Sequence, residues 1–259
     1  MTDSSPLRSF AGATWALFHR EVIRFLRQRS RLVGALLTPL LFWFLVGGGL
    51  GNSFRNPVGN AEGGYFEFFF PGAVALSVLF TAIFSTMSVI EDRNQGFLQG
   101  VLVTRVSRGA FVLAKILGGA FLGALQGVLL LLVARVLVLE TAWASLAAAV
   151  GLLFVMGGAL TALGFVFAWK LDSVQGYHGI MNLVLVPLWI LSGAVFPSET
   201  GNPLFRWIAR VNPLSYSVNA LRELLSLSSA TQLLPALAIT LGAGLLLYML
   251  SLRLVSRGG

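Results

Sequence analysis

ILGGAFLGALQGVLLLLVA, Ile116–Ala134, decides what kind of protein this is. These 19 residues hold no charged side chain and are bracketed by Lys115 and Arg135. A helix that crosses a hydrocarbon core needs about 20 apolar residues. The stretch therefore predicts a membrane span whose two cations snorkel to opposite interfaces, neither of them buried. Five further stretches have the same character: Leu32–Leu50, Phe68–Ile90, Leu146–Ala168, Tyr177–Phe196 and Leu233–Leu252. Six crossings predict an all-α polytopic membrane protein.

Composition agrees. The 259 residues are 56% hydrophobic and 11% charged, with a mean hydropathy of +0.84. Soluble domains carry about 25% charged residues. Six spans leave no room for a sizeable soluble domain. The expected organisation is a cytosolic tail over residues 1–31 and one six-span domain over residues 32–259. The net charge of +8 sits at the span ends, where a membrane protein places it, so no nucleic-acid partner is expected. With no cysteine, disulfides, thiolate metal sites and cysteine nucleophiles are excluded. The run after Arg31 exceeds a signal-peptide core of about 7–15 residues, so it predicts a retained span.

The basic residues also set an orientation. Arg8, Arg20, Arg24, Arg27, Arg29, Arg31, Arg93, Arg105, Arg108, Lys115, Lys170, Arg253 and Arg257 fall on one side of a six-span chain. Arg55, Arg135, Arg206, Arg210 and Arg222 fall on the other. The positive-inside rule then predicts a multi-pass protein of the cell (inner) membrane with both termini cytoplasmic.

Ahead of the first span, Phe10–Ser30 reads as an amphipathic helix. Trp15, Phe18, Val22, Phe25 and Leu26 share one face, and Arg20, Arg24, Arg27 and Arg31 the other. That pattern fits a helix in the membrane interface, as an anchor on lipid or a surface for a cytosolic partner. Pro39 predicts a kink in the first span. Tyr65 and Phe66 with Phe68–Phe70 read as an interfacial aromatic belt.

Ser77, Thr81, Ser85 and Ser88 form a hydroxyl stripe on the second span. With Gln126 and Asn182 they are candidates for either a transport pathway or helix packing. Gly119, Gly123 and Gly127 mark a close-packing seam on the third span. His178 reads as interfacial. After the fifth span, Pro197–Thr231 predicts two short helices forming a re-entrant hairpin at the outer face, the second capped by Ser215 or Ser217.

The densest charge cluster outside the N-terminus is the loop Glu91–Arg108. Carboxylates at a helix C-terminus are disfavoured by about 0.3–1 kcal/mol each. The second span is therefore expected to continue past Glu91 and Asp92 and to stop near Gly96. A short helix over Phe97–Thr104 would follow.

Four features together resemble the membrane subunits of type-2 ABC exporters, which handle drugs, lipids and lipid-linked polysaccharides. They are the basic helix before the first span, FFFPG at Phe68–Gly72, the E-D-R-x-x-G…L-V-T-x-V-S-R loop at Glu91–Arg108, and L-S-G-A-V-F-P at Leu191–Pro197 followed by N-P-L-S-Y at Asn212–Tyr216. Their order and spacing extend over nearly the full length. The resemblance implies an ATP-binding cassette ATPase subunit as partner, with ATP and Mg bound there and no cofactor in this chain. It implies a second permease copy, identical or related, with the path between the two. It also implies a coupling element in Glu91–Arg108, whose docking candidates are Glu91, Asp92, Arg93, Gln95, Phe97, Arg105, Ser107 and Arg108. Arg105 stands where relatives often carry proline, so a less kinked loop is expected there.

No G-x-x-x-x-G-K-[ST], HExxH or G-x-S-x-G occurs, so neither ATP hydrolysis nor other catalysis is expected of this chain. The rival reading is a secondary transporter or channel, which would carry ionisable residues mid-span or inverted repeats; the sequence shows neither. A membrane-embedded transferase would need clustered acids or bases, and Glu140, Glu199 and Glu223 are scattered.

Overall fold

The computed structural model describes residues 6–50, 64–98, 100, 106–137, 142–197, 202–226 and 231–257. Among these residues the regular structure is entirely helical. α1 (Pro6–Arg27) is followed by α2 (Arg29–Leu50), α3 (Tyr65–Asn94), α4 (Arg108–Leu137), α5 (Trp143–Lys170) and α6 (Val174–Ala194). The chain then forms α7 (Pro203–Val211), α8 (Pro213–Leu225) and α9 (Leu233–Arg257). Six of these, α2 to α6 and α9, are long and apolar enough to cross a membrane. The protein is thus an all-α polytopic membrane protein. Both terminal helices reach the same end of the bundle, where Arg108 Nη1 donates to Ser256 O at 2.8 Å. That end, which holds α1, is called the near end below; α7 and α8 lie at the far end.

α3 is the central helix. It is apolar around its whole circumference and packs against α2, α4, α5 and α6, as a helix buried on all sides must be. This overturns the expected aromatic belt. Tyr65, Phe68, Phe69 and Phe70 are buried against protein, with Tyr65 stacked on Phe69, Trp43 against Phe70 and Trp189 edge-on to Phe69. Phe66, half-buried, stacks on Trp43. The aromatics anchor α2 and α6 to α3 and do not face an interface.

Proline shapes two spans. Pro39 has no N–H to offer the carbonyl of Ala35 one turn back. Ser77 of α3 supplies the missing donor, its Oγ lying 3.3 Å from Ala35 O. α2 then widens into a π turn over Trp43–Gly47. Pro187 likewise precedes a π turn at Ile190–Ala194, where Gly193 takes φ 82°, a left-handed conformation suited to glycine.

The carbonyls freed at this break are met by side chains from elsewhere, as buried backbone groups require. Gly193 O accepts from Arg222 Nη2 at 3.0 Å, Leu188 O from Asn212 Nδ2 at 2.7 Å, and Val195 O from the Tyr65 hydroxyl at 2.9 Å. Trp189 Nε1 donates to Gly72 O at 2.8 Å. A Cβ on Gly72 would stand 2.6 Å from Ala194 O, so α3 and α6 approach backbone to backbone. The FFFPG, LSGAVFP and NPLSY segments therefore form one far-end knot.

The two short helices after the fifth span are present, with a different cap from the one expected. Asn212 caps α8, its Oδ1 accepting from Leu214 N at 3.0 Å, with Pro213 in the first turn. Proline there needs no N–H partner, and asparagine is a favoured cap. Ser217 is instead buried, 2.8 Å from the Thr240 hydroxyl of α9.

The glycine seam of α4 lies against α3 and α5. Side chains at Gly119 would collide with Thr161 and Ser85, at Gly123 with Val78, and at Gly127 with Leu153. Replacing Gly119 by leucine forces these helices apart, and overpacking of this kind costs about 1–3 kcal/mol. The expected outcome for Gly119→Leu is a lower melting temperature and a broadened elution profile of the detergent-purified protein. Gly12→Leu, where nothing lies within 4 Å, serves as the unperturbed control.

Candidate functional site

Three of the four arginines assigned to the basic face of α1 turn into the protein. Thr14, Glu21 and Phe25 are buried, and α1 packs along α4. Trp15 stays 67% exposed, and Ile23 and Leu26 are exposed with it. The expected polarity of the helix is thus inverted at its C-terminal half: part of its apolar face points away from the protein, and its cations point in.

They point at the end of α3. Arg20 grips Asp92 with both terminal nitrogens, at 2.8 and 3.2 Å. Arg24 reaches Asp92 Oδ1 and Glu91 Oε2, each at 2.6 Å, and Arg31 of α2 pairs with the other oxygen of Glu91. From the opposite side Lys115 of α4 pairs with Asp92 and, at 2.7 Å, with Glu21 Oε1. Ser88 accepts from Lys115 Nζ at 2.9 Å and donates to Glu21 Oε2 at 2.7 Å. Three carboxylates and four cations from α1, α2, α3 and α4 form one network. The crevice beside it, lined by Glu21, Ser85, Ser88 and Lys115, measures about 10 Å³, room for a single water.

Lys115 does not snorkel. It is 5% exposed, held inside by Asp92 and Glu21. Asp92 is fully buried. A buried carboxylate is tolerable only when paired and hydrogen-bonded, and Asp92 accepts from two arginines and a lysine. Burial by itself lowers the pKa of Arg20; the hydrogen bond to Asp92 and the charges of Asp92 and Glu21 reverse this and raise it above the ordinary arginine value.

The remaining loop residues divide into three groups. Arg93 leaves the network and caps α5, donating to Trp169 O at 2.9 Å, Ala168 O at 3.3 Å and Leu171 O, with Asp172 at 3.6 Å. A cation on the last carbonyls of a helix satisfies orphan acceptors and complements the dipole. α3 stops as expected: Gln95 is the exposed C-cap, and Gly96 takes φ 73°. Phe97 lies under the Arg20 guanidinium, 3.6 Å from ring centroid to Cζ. Ser107 caps α4 by accepting from Ala110 N at 3.1 Å, and Arg108 opens that helix. Arg105 lies outside the described residues, as does most of the short helix expected over Phe97–Thr104. Glu91 and Asp92 are thus spent on internal partners, and Asp92 presents no surface to another chain in this conformation.

The candidate pathway or packing residues lie between helices. Thr81 Oγ1 sits 2.7 Å from Gln126 Oε1, and Ser85 donates to Ala82 O at 3.0 Å. Asn182 Oδ1 and Gln126 Nε2 are buried without a hydrogen-bond partner among the described residues. His178, read as interfacial, stacks on Phe84 with centroids 5.8 Å apart. Sequence reasoning missed Glu21 and Lys115. The available signal was Glu21 standing as the lone acid between Arg20 and Arg24.

A family comparison covers the network and the far-end knot alike: residues 12–225 match the ABC-2 type transporter family. The chain belongs to that family. Among its relatives, nodulation protein J of Rhizobium leguminosarum bv. trifolii is 33% identical over 76% of this chain and 74% of its own length. Nodulation protein J of Rhizobium meliloti is 30% identical over the same shares. The putative transport permease ycf38 of Cyanophora paradoxa is 26% identical over 85% of this chain and 76% of its own. The protein is a transmembrane transport subunit, a multi-pass permease.

Removing one partner of a buried pair costs about 3–5 kcal/mol, because the other charge stays behind. Asp92→Asn and Lys115→Met should each lower the melting temperature of the purified permease sharply. The double variant should lose less than the two single losses combined, since neither charge is then orphaned. Strict additivity in thermal unfolding would count against the pairing.

Proposed function

We propose that this permease is the membrane half of an ATP-driven exporter, with hydrolysis carried out on a separate ATP-binding cassette subunit that holds ATP and Mg. The near end is the cytoplasmic end, placing both termini inside the cell (inner) membrane. A second permease copy, identical or related, completes the path, and the cargo is amphipathic: a drug, a lipid or a lipid-linked glycan.

One observation carries the coupling. The last turn of α3 is tied at once to α1 and α2 through Arg20, Arg24 and Arg31, to α4 through Lys115, and to α5 through Arg93. Force applied to residues 95–108 from the cytosol enters at Gln95, Gly96 and Phe97 and is delivered to five helices through short, charge-assisted contacts. Spans joined this way move as a body, which suits alternation between inward- and outward-open arrangements. Glu91, Asp92 and Arg93 act in this reading as the rigid root of the coupling segment, and Gln95, Phe97, Arg105, Ser107 and Arg108 as its contact portion.

The test is reconstitution of the permease with its co-purifying P-loop ATPase, reading substrate-stimulated ATP hydrolysis and transport. Arg93→Ala should leave the ATPase bound but weaken stimulation about 2- to 30-fold, the range of about 0.5–2 kcal/mol by which residues along a coupling route act. Cargo movement in vesicles that lack any ATPase, driven by an ion gradient, would overturn the assignment.

A further inference from the structure

The elbow between α1 and α2 carries charge that the network does not use. Arg27 and Arg29 are exposed and have no carboxylate partner among the described residues. Arg27 lines an open groove of about 510 Å³ with Arg20, Ile23, Arg24 and Gln28. No acidic side chain lines this groove. Arg20 and Arg24 have their acidic partners on its inner side, where both turn toward Asp92.

Beside the cations runs an apolar strip. Ile23 and Leu26 of α1 are exposed on one side of the elbow, and Val33, Leu37 and Leu41 of α2 on the other. Val33, Leu37 and Leu41 recur every four residues along a membrane span, so they descend into the hydrocarbon from the level of Arg29. A cationic groove at the headgroup level that opens onto an apolar stripe matches one ligand chemistry: a phosphate carried on acyl chains.

We propose that this elbow is a binding site for an anionic phospholipid of the leaflet that faces the near end. Its phosphate lies in the groove at Arg27 and Gln28, with Arg29 alongside, and its chains lie along Ile23, Val33 and Leu37. The proposal rests on the membrane placement of α2 and not on ATP coupling, so each reading can fail without the other. Charge complementarity argues for a lipid over an acidic protein surface, because the groove has apolar flanks on both helices. The bound lipid closes the outer side of the same arginines whose inner side holds Asp92, and thereby seats α1.

The test uses the full-length permease alone, in nanodiscs of phosphatidylcholine with or without phosphatidylglycerol. Co-purified lipid is quantified by mass spectrometry, and thermal unfolding is followed in parallel. The expected results are selective retention of phosphatidylglycerol and a higher melting temperature in its presence. Arg27→Gln and Arg29→Gln should each weaken retention about fivefold, the worth of one basic residue at an anionic surface. Val33→Gln with Leu37→Gln should weaken it with every arginine intact. Inorganic phosphate should give no stabilisation. Equal retention in wild type and the Arg27→Gln/Arg29→Gln variant, equal retention of phosphatidylcholine, or full replacement of the lipid effect by inorganic phosphate would overturn the proposal. So would loss of ATPase binding in that variant with lipid retention unchanged, which would give the groove to a cytosolic protein.

Discussion

A charge placed inside a low-dielectric bundle has to be answered by another charge, and Asp92 is where this permease meets that requirement. The carboxylate sits at the end of the central helix, where the helix dipole already disfavours it. Arg20, Arg24 and Lys115 converge on it from two other helices. Because the alternative is an uncompensated buried ion, these helices are held in one mutual arrangement. The apolar packing of membrane helices lacks that strictness, since lipid competes on nearly equal terms with protein side chains.

The two ends of the bundle solve different problems. At the far end, the prolines of α2 and α6 and the left-handed Gly193 break backbone ladders, and neutral or singly charged donors repair them: Ser77, Tyr65, Asn212 and Arg222. At the near end, intact helices are joined by ion pairs. A broken, hydrogen-bonded end yields to small shifts in backbone angle, whereas a charge-paired end resists separation of its parts. Such an asymmetry suits a transporter that receives work at one end and opens at the other.

Much of the fold was legible in the residues. Span number and approximate limits follow from run length, the stop of α3 at Gly96 from its glycine, and the seam of α4 from Gly119, Gly123 and Gly127. What was not legible depends on contacts across long separations. The helical period of α1 shows that Arg20 and Arg24 share a face but not what that face meets, because Asp92 lies 72 residues away from Arg20. The same gap hid the burial of Lys115: a cation seven residues inside α4 reads as a snorkelling anchor until Glu21 and Asp92 are seen beside it. Tyr65–Phe70 misled for a related reason. An aromatic run at the start of a span is interfacial on a peripheral helix and internal on a central one, and centrality is a property of the whole bundle. The coupling segment was found through motif order, while its division into a rooted part and a contact part required the ion pairs.

The long separation between α1 and its carboxylates also bears on how the chain is made. When Arg20 and Arg24 leave the ribosome, Glu91 and Asp92 have not yet been synthesised, and Lys115 follows later still. During that interval the arginines can satisfy themselves only on headgroups and water, where cations flanking a first span fix the sidedness of everything downstream. Once α3 arrives, the same guanidiniums change partners. One set of side chains thus writes the topology during biogenesis and afterwards fastens the finished bundle, so a substitution there strikes the protein twice, at two different times.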